Sequence, residues 1–219
     1  MKKILFSLFA ATAICLSTKA QDDKFTKAME PKVAAVDTVR NAAELLSMSA
    51  AFERIADAEK TKWQPYYYAA LTQVNAAYFT STGQQMEAAK TDPIADKAEA
   101  LISKADALSP NNSEIYVVKK MIASLRMMGD PMNRWQTYGP QAEAALQTAM
   151  KLNPENPRVY IQQAQDKFYT PEQFGGSKTE AKKLFEEANK KMAAFKPATT
   201  IDPVWGKMQV AYFLGELSK

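Results

Sequence analysis

Residues 95–116, ADKAEALISKADALSPNNSEIY, and residues 139–160, GPQAEAALQTAMKLNPENPRVY, superimpose at a constant offset of 44. The matched pairs include Ala98/Ala142, Glu99/Glu143, Ala100/Ala144, Ala105/Ala149, Leu108/Leu152, Pro110/Pro154 and Tyr116/Tyr160. Ala98, Ile102 and Ala105 share one helical face, as do Ala142, Leu146 and Ala149. The alanines let neighbouring helices approach closely, and Ile102 and Leu146 supply apolar volume. Pro110 and Pro154 stop each helix, and the next segment begins another with Tyr116 or Tyr160 on its inner face. Ala181, Phe185 and Ala188 repeat the pattern in KTEAKKLFEEANKK at 178–191. Self-similarity of this length marks stacked helical hairpins.

Outward from these copies the chain continues as helix. Gly and Pro gather at a few junctions, while Ala, Glu, Lys, Gln, Leu and Met fill the intervals. The pattern predicts helices near 24–46, 48–60, 65–81, 94–108, 113–128, 139–152, 157–169, 178–195 and 202–217. No Ser/Gly-rich linker divides them, so an all-α chain with a single repeat domain over 21–219 is expected. The tyrosine-rich run YYYAALTQVNAAYF at 66–79 reads as a core seam, with an aromatic groove as the alternative.

The first twenty residues, MKKILFSLFAATAICLSTKA, have a basic start, an apolar stretch and small residues before Gln21. That arrangement predicts a signal peptide, residues 1–20, cleaved after Ala20. Its removal takes away Lys2, Lys3 and Lys19, leaving 25 basic against 24 acidic residues, or +1 in place of +4. A nucleic-acid partner loses its support from composition. The mature chain has no integral membrane segment, and export to the periplasm is expected, with the cell surface as the alternative.

The chain has no His, and its single Cys, Cys15, lies in the expected signal segment. A His-based triad, a Cys nucleophile and the common zinc sites are therefore excluded from the mature protein. The acidic residues alternate with lysines on solvated helix faces, as in Glu180, Lys182, Lys183, Glu186 and Glu187. Tyr116 and Lys120 have a Y-x-x-x-K spacing but no accompanying Gly-rich dinucleotide segment. Gly175-Gly176 is a turn without the Lys-Ser or Lys-Thr of a phosphate loop, and Asn111-Asn112-Ser113 reads as a helix cap. No catalytic residue, cofactor or metal is assigned, and the protein is not read as an enzyme.

The spacing Ala98-Ile102-Ala105-Pro110-Tyr116, met again at Ala142-Leu146-Ala149-Pro154-Tyr160, resembles the tetratricopeptide repeat. The resemblance implies helix-turn-helix units stacked in a right-handed superhelix, clearest over 95–190. Lys120 departs from the small residue expected after Tyr116, which implies looser packing there, and Pro197 arrives four residues late. The segments DPMNRWQTYGP, NPENPRVY and FYTPEQFGGSK resemble a group of exported repeat proteins of Bacteroidota. That likeness implies an envelope protein and no reaction.

Two insertions lengthen the repeats, at 129–140 and 170–177, and both are expected as extended loops on one edge of the stack. Trp135, Tyr138 and Phe174 on them form a candidate binding rim, unless the rings fold back onto their own repeats. The resemblance also implies a concave groove lined by Glu114, Val117, Met121 and Leu125 in one unit. Arg158, Ile161, Gln165, Phe168 and Tyr169 take the comparable places in the next. The expected function is a non-enzymatic envelope protein that binds a protein or peptide through its helical surface. The alternatives are a carboxylate-dependent envelope hydrolase acting on glycan or peptide, and a structural component of an envelope assembly.

Overall fold

Asn112 and Asn156, one repeat apart, start their helices in the same way. The Asn112 side chain accepts from Glu114 N and that of Asn156 from Arg158 N, both at 3.0 Å, satisfying an N–H that the helix leaves unpaired. The two caps are also joined: Asn156 Nδ2 donates to Ser113 Oγ at 3.0 Å, and Ser113 Oγ donates to Ala149 O at 2.8 Å. The repeat therefore recurs in cap chemistry as well as in the apolar stripe.

The computed structural model describes residues 22–80 and 86–219; the expected signal segment lies outside them. Residues 22–35 form α1. It is followed by α2 (Ala42–Glu59), α3 (Trp63–Thr80), α4 (Ala88–Leu108), α5 (Ser113–Gly129) and α6 (Pro131–Leu152). After α7 (Pro157–Tyr169) come a short 3-10 turn (Glu172–Phe174), α8 (Lys178–Ala194) and α9 (Lys207–Glu216). Among the described residues there is no strand, and no helix is long and apolar enough to cross a membrane. The fold is all-α. Successive helices from α2 to α6 pack side by side, as do α7, α8 and α9.

Several boundaries differ from the sequence reading. The helix expected over 24–46 is cut by a turn at 36–38, and α2 starts afresh at Ala42 because Asn41 accepts from Glu44 N at 3.0 Å. The expected loop at 129–140 is helix: Pro131 takes a first-turn position, where its missing N–H costs nothing, and Pro140 is absorbed in the interior. Likewise α4 starts at Ala88 and carries Pro93 inside it. The 170–177 insertion is non-helical apart from its 3-10 turn, and Gly175 reverses the chain at φ 91°.

The main core gathers Phe52, Tyr67, Leu71, Ile102, Ile115 and Leu146, and a smaller one unites Ile161, Phe185, Ala188, Val210 and Phe213. Tyr66, Tyr67 and Tyr68 are buried, with Phe52 stacked on Tyr68 at 5.2 Å. The position of Lys120 is not loosely packed. Its stem is buried and its Nζ reaches Asp166 Oδ1 at 2.6 Å, so a long side chain fills the space and ends on a carboxylate.

Helix α9 starts later than expected because 195–206 forms a non-helical strap that returns to the core. Ile201 and Trp205 are buried there; Trp205 Nε1 donates to Tyr67 Oη at 2.7 Å, and Gln64 Nε2 to Asp202 Oδ1 at 3.1 Å. Asp37 fixes the end of the strap by accepting from Gly206 N at 2.9 Å and Met208 N at 3.2 Å. Gly206 has φ 110°, and a Cβ there would lie 2.5 Å from Ile161 Cδ1 and 2.7 Å from Met192 Cε. Gly206→Ala is expected to cost about 1–3 kcal/mol through backbone strain. Urea unfolding checks this, as a shift of midpoint without a change of slope.

Candidate functional site

The concave groove expected from the sequence is interior. Glu114, Val117, Met121, Leu125, Arg158 and Ile161 are all buried, so no ligand surface forms from them. Arg158 Nε lies 2.8 Å from both carboxylate oxygens of Glu114, and its Nη2 is 2.6 Å from Oε1. Tyr67 Oη donates to Glu114 Oε2 at 3.1 Å while accepting from Trp205. Burial first, and then the Glu114 charge, push the Tyr67 and Tyr68 phenols well above the usual tyrosine range. This network ties α3, α5, α7 and the strap together.

The other singled-out residues lie further out. Gln165 and Phe168 are half-buried and Tyr169 is 68% exposed. Phe168 and Tyr169 pack edge-on against Phe213 at 5.0 and 5.9 Å, in an aromatic wall that ends in Tyr212. Trp135 (57% exposed) and Phe174 (73% exposed) point outward, so neither folds back onto its repeat. Tyr138 is half-buried and faces a cavity.

That cavity is an open cleft of about 690 Å³ between α4 and α6, floored by α5. It exists because the facing positions are short: Ser103 on α4, Ala123 on α5, and Ala144, Ala145 and Thr148 on α6. Ile122 and Tyr116 lie on the α5 floor, Ile102 on the α4 wall and Tyr138 on the α6 wall. Two cations line it. Lys119 Nζ is 2.6 Å from Asp106 Oδ2 and lies 4.6 Å from the Tyr116 ring centroid. Arg126 Nη2 meets Asp96 at 2.8 Å and Glu99 at 2.6 Å, both through one nitrogen of a group with five N–H donors.

Arg134 anchors the near end of α6. Its two terminal nitrogens donate to the two oxygens of Asp92 at 2.6 and 2.8 Å, and Nη1 also donates to Arg126 O at 3.2 Å. Hydrogen bonding from Arg134 is the main cause holding the Asp92 carboxyl below its ordinary range. Among the described residues no group of His, Cys, Asp or Glu is placed to hold a metal ion. Of the cleft residues, sequence reasoning singled out Tyr138 for exposed binding and Tyr116 only for packing. The available signal was the run of short residues opposite the apolar stripe of each repeat.

No protein-family model and no curated protein matches the sequence. Among solved structures, the chain is similar to the HusA haemophore from Porphyromonas gingivalis. The two share 35% identity at a TM-score of 0.76, over 88% of this chain and 92% of that one. This relationship overturns assignment to the tetratricopeptide repeat family; the shared spacing reflects the geometry that packed helical hairpins demand. It also overturns the expected protein or peptide partner, because the relative is named as a haemophore. The expectations that the protein is exported and is not an enzyme accord with the relationship. At this identity and coverage, the chain belongs to the family of the HusA haemophore.

Proposed function

We propose that the protein is an exported, non-catalytic carrier of haem, and that haem docks in the cleft between α4 and α6. The observation that carries the reading is the cleft of about 690 Å³, within the roughly 300–1,000 Å³ usual for ligand pockets, in a member of a haemophore family. Its isoleucines and tyrosines match the apolar faces of a porphyrin. Lys119 and Arg126 match the two propionates, Arg126 through charge-assisted hydrogen bonds.

The same proposal includes a mature domain at 21–219, working in the periplasm or at the cell surface. It also includes hairpins stacked as a right-handed superhelix, supported by the 44-residue recurrence of stripe and cap. Tyr138 belongs to the proposed haem site, whereas Trp135, Gln165, Phe168, Tyr169 and Phe174 stand outside its lining.

Titrating ferric haem into the purified protein tests the reading. The expected result is a saturable change in the Soret band at one haem per chain, with Kd of about 1 μM or tighter. A change that rises without saturating would overturn it.

A further inference from the structure

We propose that Glu99 is a counter-ion displaced by the cargo: a free carboxylate of the bound tetrapyrrole takes its place on Arg126, so the cleft selects tetrapyrroles whose carboxylates are unblocked. This rests on haem being the cargo of the cleft and identifies the group with which that cargo exchanges on entry. The first argument is the charge inventory. Lys119 and Arg126 are the cations lining the cleft, and Glu99 is the only carboxylate among the described lining residues. Arg126 Nη2 donates to Glu99 Oε2 at 2.6 Å, and Asp96 Oδ1 lies 2.8 Å from the same nitrogen. One guanidinium thus already holds two carboxylates. A third would crowd like charges on the cleft wall, so one of the two gives way. Asp96 stands outside the lining and Glu99 within it, which makes Glu99 the group in the path of the cargo.

The second argument is the difference in anchoring. The Arg126 side chain is 14% exposed, whereas that of Glu99 is 59% exposed. Arg126 lies in the last turn of α5, and its carbonyl accepts from Arg134 Nη1, which Asp92 holds in turn. The cation therefore stays where it is, and Glu99 returns to water at little cost, because an ion pair open to solvent contributes little. An incoming carboxylate can engage two guanidinium nitrogens in a fork, where the two acids share Nη2 alone. Lys119 offers no such exchange inside the cleft: its partner Asp106, at 2.6 Å, is not among the lining residues. When the cargo leaves, Glu99 recaptures Arg126, so the emptied cleft is not left with an unpaired, largely buried cation.

The test titrates metal-free protoporphyrin IX and its neutral bis-amide, both propionates capped with a short ethylene-glycol amine, into wild type, Glu99→Gln, Asp96→Asn and Arg126→Gln. Circular dichroism melts confirm the folds. Wild type is expected to bind the free acid about tenfold more tightly than the bis-amide. Glu99→Gln tightens the free acid about fivefold and slows its dissociation, with the bis-amide unchanged, and Asp96→Asn has an effect below about twofold. Arg126→Gln abolishes the preference for the free acid. Should that variant fail to fold, the exposed Glu99→Gln still decides. Equal binding of the two porphyrins by wild type overturns the exchange and leaves the haem reading standing. So does a free-acid affinity that Glu99→Gln leaves unchanged, or that Asp96→Asn raises equally. Failure of wild type to bind either porphyrin overturns both.

Discussion

Arg158→Met is expected to lower stability by about 3–5 kcal/mol, the largest single-residue effect in the molecule. Arg158 is fully buried and supplies three close contacts to Glu114; without it the carboxylate remains inside the fold, held among the described residues by the Tyr67 hydroxyl. For a chain of this size the melting temperature should fall by about 10 °C. The double variant Arg158→Met/Glu114→Met removes both charges and leaves the Tyr67 hydroxyl short of an acceptor. It is expected to recover to within about 1–3 kcal/mol of wild type. Thermal and urea unfolding of the three proteins measures the coupling. A single variant within about 1 kcal/mol of wild type would show that the pair does not hold α5 and α7 together.

The second large effect is on binding. Ala145→Trp is expected to weaken haem binding by about a hundredfold, roughly 3 kcal/mol, with little loss of stability. Ala145 is half-buried on the cleft wall, so an indole there projects into the space between Tyr116 and Tyr138 without entering the close-packed stripe of Ala142, Leu146 and Ala149. Tyr212→Ala, in the aromatic wall of α9, should leave haem affinity unchanged. A fall in affinity with Tyr212→Ala, and none with Ala145→Trp, would move the site to that wall.

The helical fold was legible because packing imposes periodicity. The alternation of Ala98, Ile102 and Ala105, and its copy at Ala142, Leu146 and Ala149, places buried residues in both helices. The same recurrence misled the functional reading. Glu114 and Arg158 occupy equivalent positions one repeat apart, and a sequence shows two charged side chains that look fit for a surface. Only the fold shows that they point at each other across α5 and α7. The groove they were expected to line is closed by the strap carrying Ile201 and Trp205, a contact of about 138 residues' separation that local pattern does not encode.

The cleft was hidden for the opposite reason. A cavity is made by what is small, and Ser103, Ala123, Ala144 and Ala145 are ordinary helix residues whose shortness matters only once α4 and α6 are placed on either side of α5. The extension at 131–140 exceeds the repeat spacing, which by itself suggests a loop; folded as helix, it brings Tyr138 and Arg134 to the mouth of that space.

The central claim is that haem occupies this cleft. It is tested most directly by backbone amide NMR during titration with gallium protoporphyrin IX, a diamagnetic analogue of ferric haem. The account predicts that shifts concentrate on Ser103, Lys119, Ala123, Tyr138 and Ala145, with Tyr169 and Tyr212 undisturbed. Shifts concentrated on Tyr169, Tyr212 and Phe213, with the α4–α6 residues unchanged, would contradict it.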